Sequence, residues 1–147
     1  MRFHDSLSSN KLTNYGKDMS GFQALTAALS SGSAVLTSID VGYNKLDEEA
    51  ALGIVRAVRQ HDKMTNLGLA RCKIGPTGAK EVADYVSGSA VLTSLNLSMN
   101  HLNPQGAATI AEALKSGMSV LKKLDLSSNF LDGAAMQTVR DLSLIHI

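Results

Sequence analysis

A chain of 147 residues, 44% hydrophobic and 18% charged, is long enough to bury a core and too apolar to remain disordered. Its formal net charge of +1 supplies no strong field toward nucleic acid or an anionic membrane surface. The single cysteine, Cys72, excludes an intrachain disulfide and a cysteine metal cluster, and no run has the length of a membrane span.

The amino end, Met1 to Asn10, has no apolar stretch of signal-peptide type, so the expected setting is intracellular. A partial pattern, Leu7-Ser8-Ser9-Asn10-Lys11-Leu12, comes first, with Asp5 where later copies carry an aliphatic residue. Thr13 to Ser20 reads as an enlarged loop. The full pattern then opens at Leu36 and runs through Ile39 and Val41 to Asn44. It recurs as Met64 to Cys72, Leu92 to Asn100 and Leu121 to Asn129, with starts 28, 28 and 29 residues apart. Each copy reads apolar-x-x-apolar-x-apolar-x-x-Asn or Cys, and its period-2 alternation predicts a short strand with one buried face.

A helix is predicted after each strand. Asp47-Glu48-Glu49 supplies an N-cap and an acidic first turn, followed by the stripe Ala50, Ala51, Ile54, Val55 and Val58. Pro76 and Pro104 suit the first turns of the next two helices. Gly78-Ala79 and Gly106-Ala107 are expected to let helix approach strand, and Gly32, Gly88 and Gly117 to form left-handed C-caps. One such unit offers too little apolar surface to offset its own ordering entropy, so stability must come from stacking on neighbours.

These repeats resemble the leucine-rich repeat family over about Leu7 to Asp141, and the 28-residue period is similar to the ribonuclease-inhibitor-like subclass. The resemblance implies an α/β solenoid, a horseshoe arc with short parallel strands on the concave face and helices on the convex face. It implies a ladder of structural rungs at Asn10, Asn44, Cys72, Asn100 and Asn129, with Cys72 a structural thiol in a place where the family accepts cysteine. Carried over position by position, the outward residues of the concave face are Ser38, Asp40 and Gly42; Asn66, Gly68 and Ala70; Ser94, Asn96 and Ser98; and Lys123, Asp125 and Ser127. His4, Ser6 and Ser8 extend that set, and Tyr43 and Arg71 border it as the first anchors to test. A partner-binding face and a merely solvated one both fit so small and polar a set.

Other chemistry finds little support. Gly75-Pro76-Thr77-Gly78-Ala79-Lys80-Glu81 lacks the spacing of a phosphate loop, which needs four residues between its glycines and Ser or Thr after Lys. His4, His61, His101 and His146 show no metal-ligand spacing. Asn96-Leu97-Ser98 is a formal glycosylation sequon on a predicted strand, where use is not expected. Of the six methionines, Met64 and Met136 are assigned to the core and Met99 to a turn.

Leu142 to Ile147 is similar to a translated sequencing-adaptor end, and the apolar periodicity of Val58, Val86 and Leu114 fails at Ser143. The expected organisation is therefore one repeat array over residues 1–141, with repeats starting near 2, 36, 64, 92 and 121, and a non-native tail at 142–147. A natural apolar tail is the alternative. The expected function is non-enzymatic protein binding by a segment of a longer receptor-like or scaffold protein. No cofactor, metal, nucleic acid or membrane is expected, and the fold is expected to be monomeric once capped. A GTPase-activating role through Arg71 and a purely structural spacer remain as alternatives.

Overall fold

Five short strands and five helices alternate along the chain in a computed structural model that describes residues 3–6, 19–31, 36–60, 62–116 and 119–142. They are β1 (Phe3–Ser6), α1 (Ser20–Ser31), β2 (Leu36–Asp40), α2 (Glu48–Gln60), β3 (Asn66–Gly68), α3 (Pro76–Gly88), β4 (Ser94–Asn96), α4 (Asn103–Ser116), β5 (Lys123–Asp125) and α5 (Gly133–Arg140). The strands make one parallel sheet in the order β1-β2-β3-β4-β5. In its register Asp5 pairs with Ile39, Ile39 with Leu67, Leu67 with Leu95 and Leu95 with Leu124. The architecture is an α/β solenoid with strands on one side and helices on the other. Asn10, Ser8, Gly32, His61, Gly117 and residues 143–147 lie outside the described residues.

From the second repeat onward, the core forms between the two layers in the same way. Ile39, Leu67, Leu95 and Leu124 enter from the strands, Val41, Leu69, Leu97 and Leu126 from just beyond them, and Leu46, Ile74 and Leu102 from the approach to each helix. Ile54, Val55, Val58, Val82, Val86 and Ile110 meet them from the helices. No strand or helix could bury these side chains alone, and each is covered by the repeat before or after it.

Backbone bonds carry the stacking past the strand ends. Val41 N–H donates to Gly68 O at 3.0 Å, Leu69 N–H to Asn96 O at 2.9 Å and Leu97 N–H to Asp125 O at 2.9 Å. A threonine ladder, not anticipated from sequence, adds a side-chain layer: Thr65 Oγ1 donates to Thr37 O at 2.9 Å and Thr93 Oγ1 to Thr65 O at 3.1 Å.

The helix starts are built as expected in α2 and differently in α3. Asp47 Oδ1 accepts from Ala50 N–H at 2.8 Å and caps α2. Glu48, read as part of that same acidic turn, instead crosses to the next repeat and accepts from Gly75 N–H at 2.6 Å. It thereby places a carboxylate at the positive end of α3. A Cβ on Gly78 would stand 2.6 Å from Glu48 Oε2, so this glycine makes room for the neighbour's cap rather than for a strand. Gly106 likewise faces no strand: a Cβ there would lie 3.1 Å from Leu102 Cβ and 3.4 Å from Ala79 Cβ on the neighbouring helix α3. Glu49 and Glu81 both reach Arg56, at 2.7 Å each, and tie α2 to α3 on the outer surface.

One expected cap is corrected. Gly88 is the last residue of α3 and not a left-handed C-cap; Ser89 ends the helix in extended conformation, and its N–H bonds Tyr85 O at 3.0 Å. Nearby, Ser89 Oγ donates to Asp62 Oδ1 at 3.1 Å. The Tyr85 hydroxyl is buried beside them without a hydrogen-bond partner of its own, and burial followed by the charge of Asp62 pushes its ionisation above the usual tyrosine range.

Candidate functional site

The turn that follows each strand separates its side chains into two sets. Tyr43, Arg71, Met99 and Ser128 have φ of 61°, 54°, 56° and 56°, and Lys45, Lys73 and Phe130 have φ of 55°, 57° and 59°. Left-handed backbone at non-glycine residues costs energy. Here it recurs at the same places of successive repeats, so it belongs to the repeat geometry. Between each such pair sits the rung residue, turned inward.

The rungs close the turn from inside. Asn100 Oδ1 accepts from Cys72 N–H at 2.9 Å and Ile74 N–H at 3.0 Å. Its Nδ2 donates to Leu69 O, Leu97 O and Ser98 O at 3.0, 2.9 and 3.2 Å. Asn129 repeats the pattern on Leu102 N–H, Leu97 O, Leu126 O and Ser127 O. Asn44 donates to Val41 O and Gly42 O. Cys72 occupies the same rung, fully buried, with Sγ 3.4 Å from Ala70 O. Burial, helped by the charge of Asp40, pushes its thiol up to about 12. Arg71 and Lys73 flank it in sequence but point to solvent, so the basic, exposed setting that a reactive thiol requires is absent at Cys72.

The strand face is less open than the pattern implies. Of the expected binding residues, Ser38, Gly42, Gly68, Ala70 and Ser98 are buried, while Asn66, Lys123, Asp125 and Ser127 are exposed. Asp40, Ser94 and Asn96 are half-buried. Asp40 Oδ1 accepts from Gly42 N–H at 2.9 Å, Asn96 Oδ1 from Ser98 N–H at 2.9 Å, and Asp125 Oδ1 from Ser127 N–H at 3.0 Å. These side chains fold back to hold the start of the turn, an Asx-turn role. The third repeat has Gly68 at that place, and Asp40 leans over it so closely that a Cβ on Gly68 would meet its carboxylate at 2.6 Å. His4 and Ser6 lie on β1, at the edge of the sheet.

The outer side of the turns is different. Among the described residues the exposed large hydrophobics are Tyr43 at 40%, Met99 at 46%, Phe130 at 76% and Val120, and the first three stand along this one edge. Tyr43 Oη donates to Met99 Sδ at 3.2 Å, two repeats away, passing over Arg71. Phe130 tilts against His101 with ring centroids 6.1 Å apart. A groove of about 790 Å³ runs along the edge. Its walls include Tyr43, Arg71 and Met99 from before the rung and Lys45, Lys73 and His101 from after it. Met19, Leu46 and Asp47 complete the lining.

From sequence, Tyr43 and Arg71 are expected at the border of the strand face, and Lys45, Lys73, Met99, His101 and Phe130 carry no weight as binding residues. The signal was available: each residue immediately before or after the rung lies on this edge. Among the described residues no group of His, Cys, Asp and Glu could hold a metal, and no helix is long and apolar enough to cross a membrane.

Comparison with known proteins agrees with the repeat. Residues 88–111 match the family model described as Leucine Rich repeat. The chain is 30% identical over 86 residues to NACHT, LRR and PYD domains-containing protein 13 of Homo sapiens, covering 58% of this chain and 8% of that protein. It is 31% identical over 98 residues to RAN GTPase-activating protein 2 of Arabidopsis thaliana, covering 66% of this chain and 18% of that protein. It thus spans less than a fifth of the length of these curated relatives. In three dimensions it is similar to leiomodin-1 actin-binding site 2, with a TM-score of 0.72 at 18% identity, over 85% of this chain and 76% of that one.

Proposed function

Because the chain is a leucine-rich repeat protein, we propose that it acts without catalysis, holding a protein partner along the outer edge of its turns as one stretch of a longer array. A single observation carries this: Tyr43, Met99 and Phe130 are exposed on that edge, while Asp40, Asn96 and Asp125 of the strand face bond their own backbone. Exposed aromatic and Met side chains beside Arg suit a protein interface, which draws its affinity from a few such anchors. The ribonuclease-inhibitor-like subclass is supported by the 28-residue spacing and by a full helix in each repeat.

A photo-crosslinking residue placed at Met99 is expected to trap a discrete protein in cells expressing the chain. The same residue at Asn66 on the strand face is not, and Tyr43→Ala is expected to abolish the Met99 product. Trapping from Asn66 alone refutes the edge. Trapping from neither position favours the spacer role.

A second reading has its own support. RAN GTPase-activating protein 2 is among the relatives, and Arg71 is exposed in the groove. An exposed arginine presented to a nucleotide can stabilise charge in GTP hydrolysis. If this reading holds, GTP hydrolysis by a Ran-type GTPase accelerates with the wild-type chain and not with Arg71→Ala. No acceleration by the wild type eliminates it.

A further inference from the structure

The charge in the turn-edge groove is one-sided. Among the described residues that line it, Lys45, Arg71 and Lys73 are cationic, and the carboxylate is that of Asp47, which already accepts from Ala50 N–H. Among the described residues, neither Arg71 nor Lys73 has a carboxylate within ion-pair distance. The formal net charge of the chain is only +1, so this is a local concentration and not an overall basicity.

The spacing of the charges matters. Arg71 and Lys73 stand on either side of the Cys72 rung, both exposed and both on the groove wall. One carboxylate cannot meet both; successive carboxylates on one face of an extended chain, recurring about every 6.6 Å, can. The floor is of another kind. Leu46 is buried beneath the groove, and the Tyr43–Met99 contact forms an apolar strip beside the cations.

We infer that this groove receives an extended acidic segment of a partner protein, one whose carboxylates face Arg71 and Lys73 and whose apolar side chains lie on Tyr43 and Met99. The inference rests on the turn edge being the docking surface and names the chemistry that docks there. Charge of this sign raises the encounter rate with an acidic partner, and the apolar strip slows its release.

Fluorescence anisotropy of the 147-residue chain tests it with three labelled peptides: alternating Glu and Leu, alternating Lys and Leu, and Glu alone. The Glu–Leu peptide should bind best, and more weakly as salt rises. The double variant Arg71→Glu, Lys73→Glu should weaken it at least tenfold, and Met99→Ser should weaken it to the level of the all-Glu peptide. Both variants alter exposed side chains, and an unchanged circular dichroism melt establishes that they fold.

Equal binding of the Lys–Leu peptide, or undiminished binding by the double variant, overturns the inference. So does absence of Glu–Leu binding. If crosslinking from Met99 still traps a protein in that case, the edge docks a partner of other chemistry and only the acidic segment is lost. If crosslinking fails as well, the docking surface falls with it.

Discussion

Asn100 and Met99 are consecutive in the chain and opposite in what they do. Asn100 turns inward and its amide holds five backbone groups in its own and the neighbouring repeat, whereas Met99 turns outward and touches the Tyr43 hydroxyl. The left-handed backbone at Met99 produces the division, and the other turns repeat it with Asn44 against Tyr43, Cys72 against Arg71 and Asn129 against Ser128. The inner set faces a fixed list of N–H and C=O groups, so it is nearly uniform. The outer set faces solvent and is free to vary, and Tyr, Arg, Met and Ser succeed one another there. A solenoid thus keeps its structure and its surface chemistry on alternate residues of one turn, and the polar strand-face residues Asp40, Asn96 and Asp125 belong with the structure.

The largest expected effect breaks the inner set. Asn100→Ala strands two buried N–H groups, of Cys72 and Ile74, and removes donors from three carbonyls. Leaving a buried N–H unpaired costs about 1–3 kcal/mol, so a loss of about 3–4 kcal/mol in denaturant unfolding is expected. Met99→Ala, one residue away, should cost under about 1 kcal/mol, as surface substitutions do. Comparable losses for the two variants would erase the distinction between inner and outer residues.

A smaller effect concerns how one repeat caps the next. Gly78→Ala forces a methyl against Glu48 Oε2, which holds Gly75 N–H at the start of α3. A displaced cap costs about 0.5–2 kcal/mol. In a Glu48→Ala background the atoms nearest that methyl are gone, and helix propensity then favours Ala over Gly by about 1 kcal/mol. Gly78→Ala should therefore destabilise the wild type and stabilise the Glu48→Ala variant. The same sign in both backgrounds would show that Gly78 answers to something other than Glu48.

The repeat period, strand positions, rung residues and buried leucines could be read from the sequence because each follows from a strict local alternation repeated at 28 residues. Cys72 could be placed for the same reason, its rung being defined by Asn44, Asn100 and Asn129. Glu48 could not, because a carboxylate in a helix's first turn looks the same whether it serves that helix or the next one. Nor could the weight given to Ser38, Gly42, Gly68, Ala70 and Ser98 survive, since alternation says which side of the sheet a residue takes and not whether a neighbour covers it. Asp40 over Gly68 is that case: the cover comes from a different repeat. On the outer edge, residue type runs from cationic Lys45 and Lys73 to aromatic Phe130 and marks no common place; position after the rung does.

The smallest expected effect sharpens the assignment of the strand face. Asp40 accepts from Gly42 N–H and lies over Gly68, so Asp40→Ala removes one hydrogen bond and uncovers a backbone surface. A hydrogen bond of this kind is worth about 0.5–1.5 kcal/mol, and unfolding should show a loss of that size. Asp40→Asn keeps the acceptor oxygen and drops the charge, so most of that stability should remain. Binding of the Glu–Leu peptide separates the two surfaces. An acidic ligand on the strand face would lie against the Asp40 carboxylate, so Asp40→Ala and Asp40→Asn would both strengthen its binding markedly. A ligand on the turn edge keeps its contacts in both, and removal of a negative charge near the groove leaves its affinity unchanged or slightly higher. Equal and marked strengthening by both variants would return the docking surface to the strands, with Asp40 acting through its charge and not through Gly42.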